Sequence, residues 1–174
     1  LTANLCYLIG FRLGAYRRAA VAQLKLQPGD TVVEVGCGTG LNFRLLEGVV
    51  GPAGRIVGVD LTDAMLAQAR RRIEREGWRN VDLVACDAAR YEFPGRVCGI
   101  LSTFALMMVP EYESVIERGA RALAPGRRWV VADLKVPGWP GAGLCARALV
   151  PFYRPFAVTL DLAERHPWES IARH

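Results

Sequence analysis

A chain of 174 residues, 52% of them apolar, can bury one sizeable core, so a single folded domain is expected and a disordered chain is excluded. The net charge of +5 comes mostly from arginines (Arg70–Arg72, Arg75, Arg127–Arg128), and no aromatic residues alternate with them, which argues against nucleic acid and leaves a solvated face or contact with anionic lipid headgroups. The most apolar run, Phe104–Pro110, is far shorter than a membrane span, and the five cysteines, spread singly with no CxxC, exclude a disulfide framework and fit a reducing cytosol.

Leu5–Leu24 reads as an amphipathic helix. Leu5, Leu8, Ile9, Leu13, Tyr16, Ala20 and Leu24 form its apolar stripe, with Arg12, Arg17 and Arg18 largely outside it. Gln27-Pro28-Gly29-Asp30 turns the chain into a first strand, Thr31–Val35. A helix is expected over about Gly40–Gly48, a second strand over Arg55–Asp60, and a helix capped by Thr62 and running to about Ile73. Strands three and four are read at Val81–Ala85 and Val97–Ser102. A helix opened by Glu111 stops near Ala124, before Pro125-Gly126, and a fifth strand covers Arg128–Leu134. Strands alternating with helices at this spacing predict an α/β fold, a doubly wound and mostly parallel sheet with helices on both faces.

The organisation predicted is an N-terminal helical cap over residues 1–26, an α/β core over 27–136 and a substrate-side insertion or lid over 137–174. That last segment opens with the Pro- and Gly-rich VPGWPGAG.

Asp30–Leu41, DTVVEVGCGTGL, carries the chemistry. A β-branched strand runs into Gly36, Gly38 and Gly40, where no Cβ obstructs a ligand, and then into a helix N-terminus with unpaired N–H groups. The second strand ends in an acid, Asp60. This is a nucleotide-sized site, but a dinucleotide loop opening at Gly36 would need glycine at position 41, which is Leu41. The GK[ST] ending of a phosphate loop is also missing. Glu34 near the turn would repel phosphates and suit an ammonium or sulfonium.

EVGCGTG resembles the first motif of class I S-adenosylmethionine-dependent methyltransferases, and VGVDLTDAML resembles their second-strand acid and following helix. LVACDAARYEFP and the segment from GRVCGILSTFALMMVP to RRWVVADLK resemble their third, fourth and fifth strand regions, in the family's order. Together these segments cover roughly residues 28–136. Within the family, the opening LTANLCYLIGFR and the DLT motif look most like quinone-biosynthesis C-methyltransferases and phospholipid N-methyltransferases.

The resemblance implies S-adenosyl-L-methionine as cofactor; with no CxxC and only two histidines, His166 and His174, near the end, no metal site is expected. Gly36, Cys37, Gly38 and Gly40 would receive its methionine part and ribose, Glu34 would steer the amino group through backbone or water, and Asp60 would accept from both ribose hydroxyls. Leu61 and Met65 would pack on adenine, although core packing explains Met65 almost as well. Asp87 and the Ala88 N–H would meet the adenine edge, and Ser102 and Thr103 would lie where sulfonium and acceptor meet. No Asn/Asp-Pro-Pro-Tyr/Phe motif stands at Thr103-Phe104-Ala105, which argues against nucleobase or protein-amide acceptors.

Phe104, Met107, Met108 and Val109 make that region apolar, and Trp139, Leu144, Phe152 and Tyr153 add bulk. These residues either bury one another or cover a hydrophobic small molecule or lipid, such as a phospholipid amine or quinone precursor. Tyr7 and Tyr16 could close over the pocket. His166 reads as a capping or surface residue more than as a base, and the sequence assigns no catalytic residue. The expected setting is cytoplasmic, with peripheral contact at the inner membrane surface. Two other readings stay open: an NAD(P)-dependent oxidoreductase, which would use Asp60 in the same way, and a non-catalytic methyltransferase-like binding scaffold. The family's final antiparallel strand pair is not found, so residues missing from the chain are expected rather than a five-stranded protein.

Overall fold

The computed structural model of the chain describes residues 13–133. Residues 5–12 of the first predicted helix, Tyr7, Leu134 of the fifth predicted strand and the whole 137–174 segment, including Trp139, Leu144, Phe152, Tyr153 and His166, lie outside the described residues.

The helix Leu13–Gln23 (α1) leads through the predicted turn into Thr31–Val35 (β1). Then follow Phe43–Val50 (α2), Arg55–Asp60 (β2), Asp63–Glu76 (α3), Val81–Ala85 (β3), Val97–Thr103 (β4), a 3₁₀ turn at Leu106–Met108, Tyr112–Ala122 (α4) and Leu123–Ala132 (β5). The five strands form one sheet in the order β3-β2-β1-β4-β5, and every pairing is parallel. β1 sits at the centre. The chain winds outward through β2 and β3, then crosses back to place β4 on the other side of β1, which makes the β1/β4 boundary a topological switch point.

Alternation along the strands divides the core into two layers. Val32, Ile56 and Leu101 pack beneath α1, α2 and α3 with Leu24, Phe43, Leu46 and Leu66, while Val33, Val35, Val57 and Ile100 pack beneath α4 with Val115 and Ile116. Glu34 shares the first face by the same alternation, which sets a carboxylate inside an apolar layer.

Three of the strands match expectation residue for residue. The helix after the glycine turn begins at Phe43 rather than Gly40, because Gly38 and Gly40 hold positive φ and the chain is still turning. The fifth strand begins at Leu123 rather than Arg128. Val97 pairs with Leu123 and Gly99 with Arg128, so the intervening Pro125-Gly126 interrupts the register without ending the strand. Asp30, just before β1, fixes this edge: its carboxylate accepts from both terminal nitrogens of Arg127 at 2.8 and 3.0 Å. Burial opposes ionisation of Asp30, yet hydrogen bonds from the Gln27 N–H and the Cys98 thiol, with Arg127, hold its carboxyl below the usual range.

Candidate functional site

The C-terminal ends of β1, β2, β3 and β4 lie side by side, and the predicted site residues follow them. At the end of β1 the chain reverses. The N–H groups of Gly36 and Cys37 both donate to the Val59 carbonyl, at 2.8 and 3.0 Å. Gly36 has φ +69°, and a Cβ built there would lie 2.2 Å from that of Ala105, so the turn and the loop after β4 approach as only glycine allows. Gly38 has φ +54° and nothing within 4 Å of where a Cβ would stand, so its outer side is open space.

Asp60 closes the turn from β2. One carboxylate oxygen accepts from the Gly38 N–H at 2.8 Å, the other from the Thr62 N–H at 2.9 Å. A carboxylate has about four acceptor positions, so two remain for a diol. Thr62 holds the cap position of α3 but makes no side-chain capping bond, contrary to expectation; Asp60 serves its N–H instead. Leu61 is 70% exposed and Met65 41% exposed, which leaves two large apolar side chains bare close to the acid. The core alternative for Met65 does not hold. Arg72, one of the arginines read as solvated surface, donates to the Thr39 carbonyl at 3.0 Å and braces the turn.

After β3, Asp87 accepts from the Ala89 N–H at 2.9 Å, which shapes the loop that presents Ala88. Arg118 of α4 donates to the carbonyls of Ala88 and Ala89 and fixes that loop from the other side.

Burial limits how four of the predicted residues can meet a ligand. The Cys37 side chain is buried, which leaves its backbone: its sulfur would stand 2.9 Å from a Cβ at Gly58, and burial pushes the thiol pKa upward. Glu34 is 1% exposed and meets no open cleft. It accepts from the Asn42 amide, while its other oxygen has no hydrogen-bond partner, and burial pushes its pKa to about 8. Ser102 and Thr103 are buried too; the Ser102 hydroxyl is unpartnered, and Thr103 accepts from Asn42 at 2.9 Å and from Arg17 at 2.7 Å.

Arg17 and Asn42 therefore join a polar cluster with Glu34 and Thr103 that sequence reading missed. Asn42 stands at the cap position of α2 but turns its side chain to Glu34 and Thr103. Arg17 also donates to the Asn42 amide oxygen at 3.2 Å and lies 5.3 Å over the Phe104 ring. The one available signal was an arginine off the apolar stripe of a helix preceding a glycine turn.

The loop after β4 is held at both ends. Phe104 has φ +58°, and its N–H donates to the Ala132 carbonyl at 2.8 Å. Asp133 accepts from the Met107 N–H at 3.2 Å, and burial raises its carboxyl to about 6 against the backbone N–H groups of Met107, Ala105 and Phe104. On this loop Phe104 and Met107 are half-buried and Met108 is exposed. Asp133 was not foreseen either.

Residues 32–126 match the family model described as a methyltransferase domain. The chain is 29% identical over 135 residues to a demethylmenaquinone methyltransferase of Listeria welshimeri, covering 76% of this chain and 57% of that protein. It is 32% identical over 127 residues to the ubiquinone/menaquinone biosynthesis C-methyltransferase UbiE of Ectopseudomonas mendocina, covering 72% of this chain and 50% of that protein. The chain thus spans little more than half the length of these relatives. Its fold is shared with a SAM-dependent methyltransferase from Aquifex aeolicus, at a TM-score of 0.64 and 22% identity over 71% of this chain and 66% of that one.

Proposed function

This chain belongs to the methyltransferase-domain family, and from that premise we propose that it binds S-adenosylmethionine and methylates a hydrophobic small molecule of the quinone-precursor type. The observation that carries the cofactor reading is at the tip of β2. Asp60 keeps two acceptor positions for a ribose diol, Leu61 and Met65 leave apolar surface bare beside it, and the open side of Gly38 leaves room for a ligand. The donor set fits the cofactor: a carboxylate for hydroxyls, apolar walls for a purine, a glycine turn without phosphate-holding residues, and carboxyls rather than lysines near a cationic ligand.

When bound, the cofactor supplies a methyl group already activated on a sulfonium. The chain's own residues then need to orient the acceptor and exclude water. Phe104, Met107 and Met108, on a loop pinned by Asp133 and by Arg17, provide an apolar wall beside the end of β4. Such a wall suits a flat hydrophobic ring and offers little to a polar acceptor. The names carried by the relatives support a quinone precursor over a phospholipid amine.

Calorimetric titration with S-adenosylmethionine and S-adenosylhomocysteine, followed by methyl-transfer assays on demethylated quinols and on phosphatidylethanolamine, tests both parts. Saturable binding weakened in Asp60→Ala supports the cofactor. Transfer to the lipid amine in preference to the quinol would overturn the acceptor class.

A further inference from the structure

A chain of polar groups runs from half-buried Arg17 on the N-terminal helix through buried Asn42 and Thr103 to the central strand. Arg17 on α1 donates to Thr103 on β4 and to Asn42 before α2; Asn42 donates to Thr103 and to Glu34 on β1. Glu34 lies at the blind end. It is wholly buried, it has one hydrogen bond from a neutral amide, and its second oxygen has no partner. A carboxylate so placed loses its hydration without full compensation, which favours the protonated, neutral form. The charged and titratable groups facing it are Arg17 from α1, Asp60 from β2 and the Cys37 thiol from the turn. Arg17 favours ionisation of Glu34, whereas Asp60 disfavours it. Asn42 and Thr103 are neutral.

We infer that Arg17 is a positioning residue of the cofactor site, which through Asn42 and Thr103 holds Glu34 in place and tunes its charge, so that seating a cationic cofactor expels a proton from Glu34. The inference rests on the cofactor reading and adds a linkage to it. A sulfonium and an ammonium arriving near Glu34 favour its ionised form. Glu34, buried with one oxygen unpartnered and its carboxyl raised to about 8, is the group whose charge then changes. Because the free protein binds that proton more tightly than the complex does, affinity rises with pH until the free protein is itself ionised.

The test is titration calorimetry of the full chain with S-adenosylmethionine at pH 7, in buffers of different ionisation enthalpy, and across pH 6–9.5. The expected result is net proton release at pH 7, with affinity rising towards about tenfold per pH unit and levelling off above about pH 8. Arg17→Met removes the cation, so the levelling moves to higher pH, while Arg17→Lys keeps the charge and leaves the profile in place. Glu34→Gln binds with no proton release. A role of Arg17 in folding alone would lower affinity equally at every pH. Binding heats independent of buffer in the wild-type chain, or an unmoved profile in folded Arg17→Met, overturn the inference while leaving the cofactor reading intact. Absence of any binding by the folded wild-type chain overturns both.

Discussion

The two halves of the sheet, on either side of β1, satisfy their polar groups in different ways. On the β2–β3 side the turn and loop are closed by short, mutually supporting bonds: Gly36 and Cys37 to Val59, Gly38 and Thr62 to Asp60, Ala89 to Asp87, with Arg72 and Arg118 bracing the carbonyls and only the Arg118 Nε left without a partner among the described residues. On the β4–β5 side, Ser102, Trp129 and Asp133 each keep a buried polar atom without a partner among the described residues, Phe104 sits at positive φ, and β5 is interrupted at Pro125-Gly126. Unsatisfied groups and backbone strain concentrate where surrounding structure or a ligand completes them. On the function proposed here, the first half is a finished cradle for one fixed cofactor, and the second carries the part that varies with the acceptor.

The contrast breaks most severely where the halves touch. Gly36→Ala places a Cβ at 2.2 Å from Ala105 in a backbone with φ +69°. Strain and overpacking together are expected to cost about 4 kcal/mol, read as a lower midpoint in chemical denaturation. A loss below about 1 kcal/mol would mean that the loop after β4 yields freely, and the two halves would then be independent. Gly38→Ala, at a position with open space, should cost less in stability than Gly36→Ala and more in cofactor affinity.

That asymmetry also explains what could be read in advance. β1, β2 and β3 were legible because continuous β-branched runs end in glycines or acids whose chemistry is local. Asp60 ends β2 and the glycine turn follows β1 for the same reason. The start of β5 was not legible, since Pro125-Gly126 is a strong turn signal and only pairing with Val97 keeps Leu123 in the strand. The roles of Arg17, Asn42 and Asp133 depend on residues far away in the chain, such as Thr103 for Arg17 and Met107 for Asp133. Glu34 was noticed as a charge near the turn, but strand alternation, which buries it beneath α1 and α2, outweighed that placement.

Two buried carboxyls, Glu34 on the central β1 and Asp133 just after β5, make stability itself depend on pH. Glu34 has its pKa raised from 4.5 to about 8, and Asp133 from 3.8 to about 6. In both cases the folded state holds the proton more tightly than the unfolded chain. Their stabilising contribution is complete below the unfolded values and is lost as pH rises through the folded ones. The free chain is therefore expected to lose about 3 kcal/mol between pH 6 and pH 8, measured by denaturation at each pH. Asp133→Asn should flatten the lower part of the curve and Glu34→Gln the upper part. A stability that rises across this window would show both groups ionised throughout.

Asp60→Ala removes two backbone partners and the proposed ribose acceptor. Loss of charge-assisted hydrogen bonds predicts a weakening of S-adenosylmethionine binding by roughly 2 kcal/mol, or about thirtyfold. Unchanged affinity would place the nucleoside elsewhere.

The smallest effect separates site from scaffold most cleanly. Met65 is 41% exposed on the first turn of α3, and Leu61, beside Asp60, is 70% exposed. Side chains that bare contribute little to the free fold, so Met65→Ala should leave the denaturation midpoint nearly unchanged. Alanine is also the better helix former, which offsets what packing is lost. If a purine stacks there, the same truncation removes apolar contact in the complex and weakens binding by about 1 kcal/mol, or roughly fivefold. Truncating a scaffold residue does the reverse, lowering stability and leaving affinity alone. A drop in stability with affinity intact would therefore move Met65 from the cofactor site to the core, and would remove one of the two apolar walls on which the adenine assignment rests.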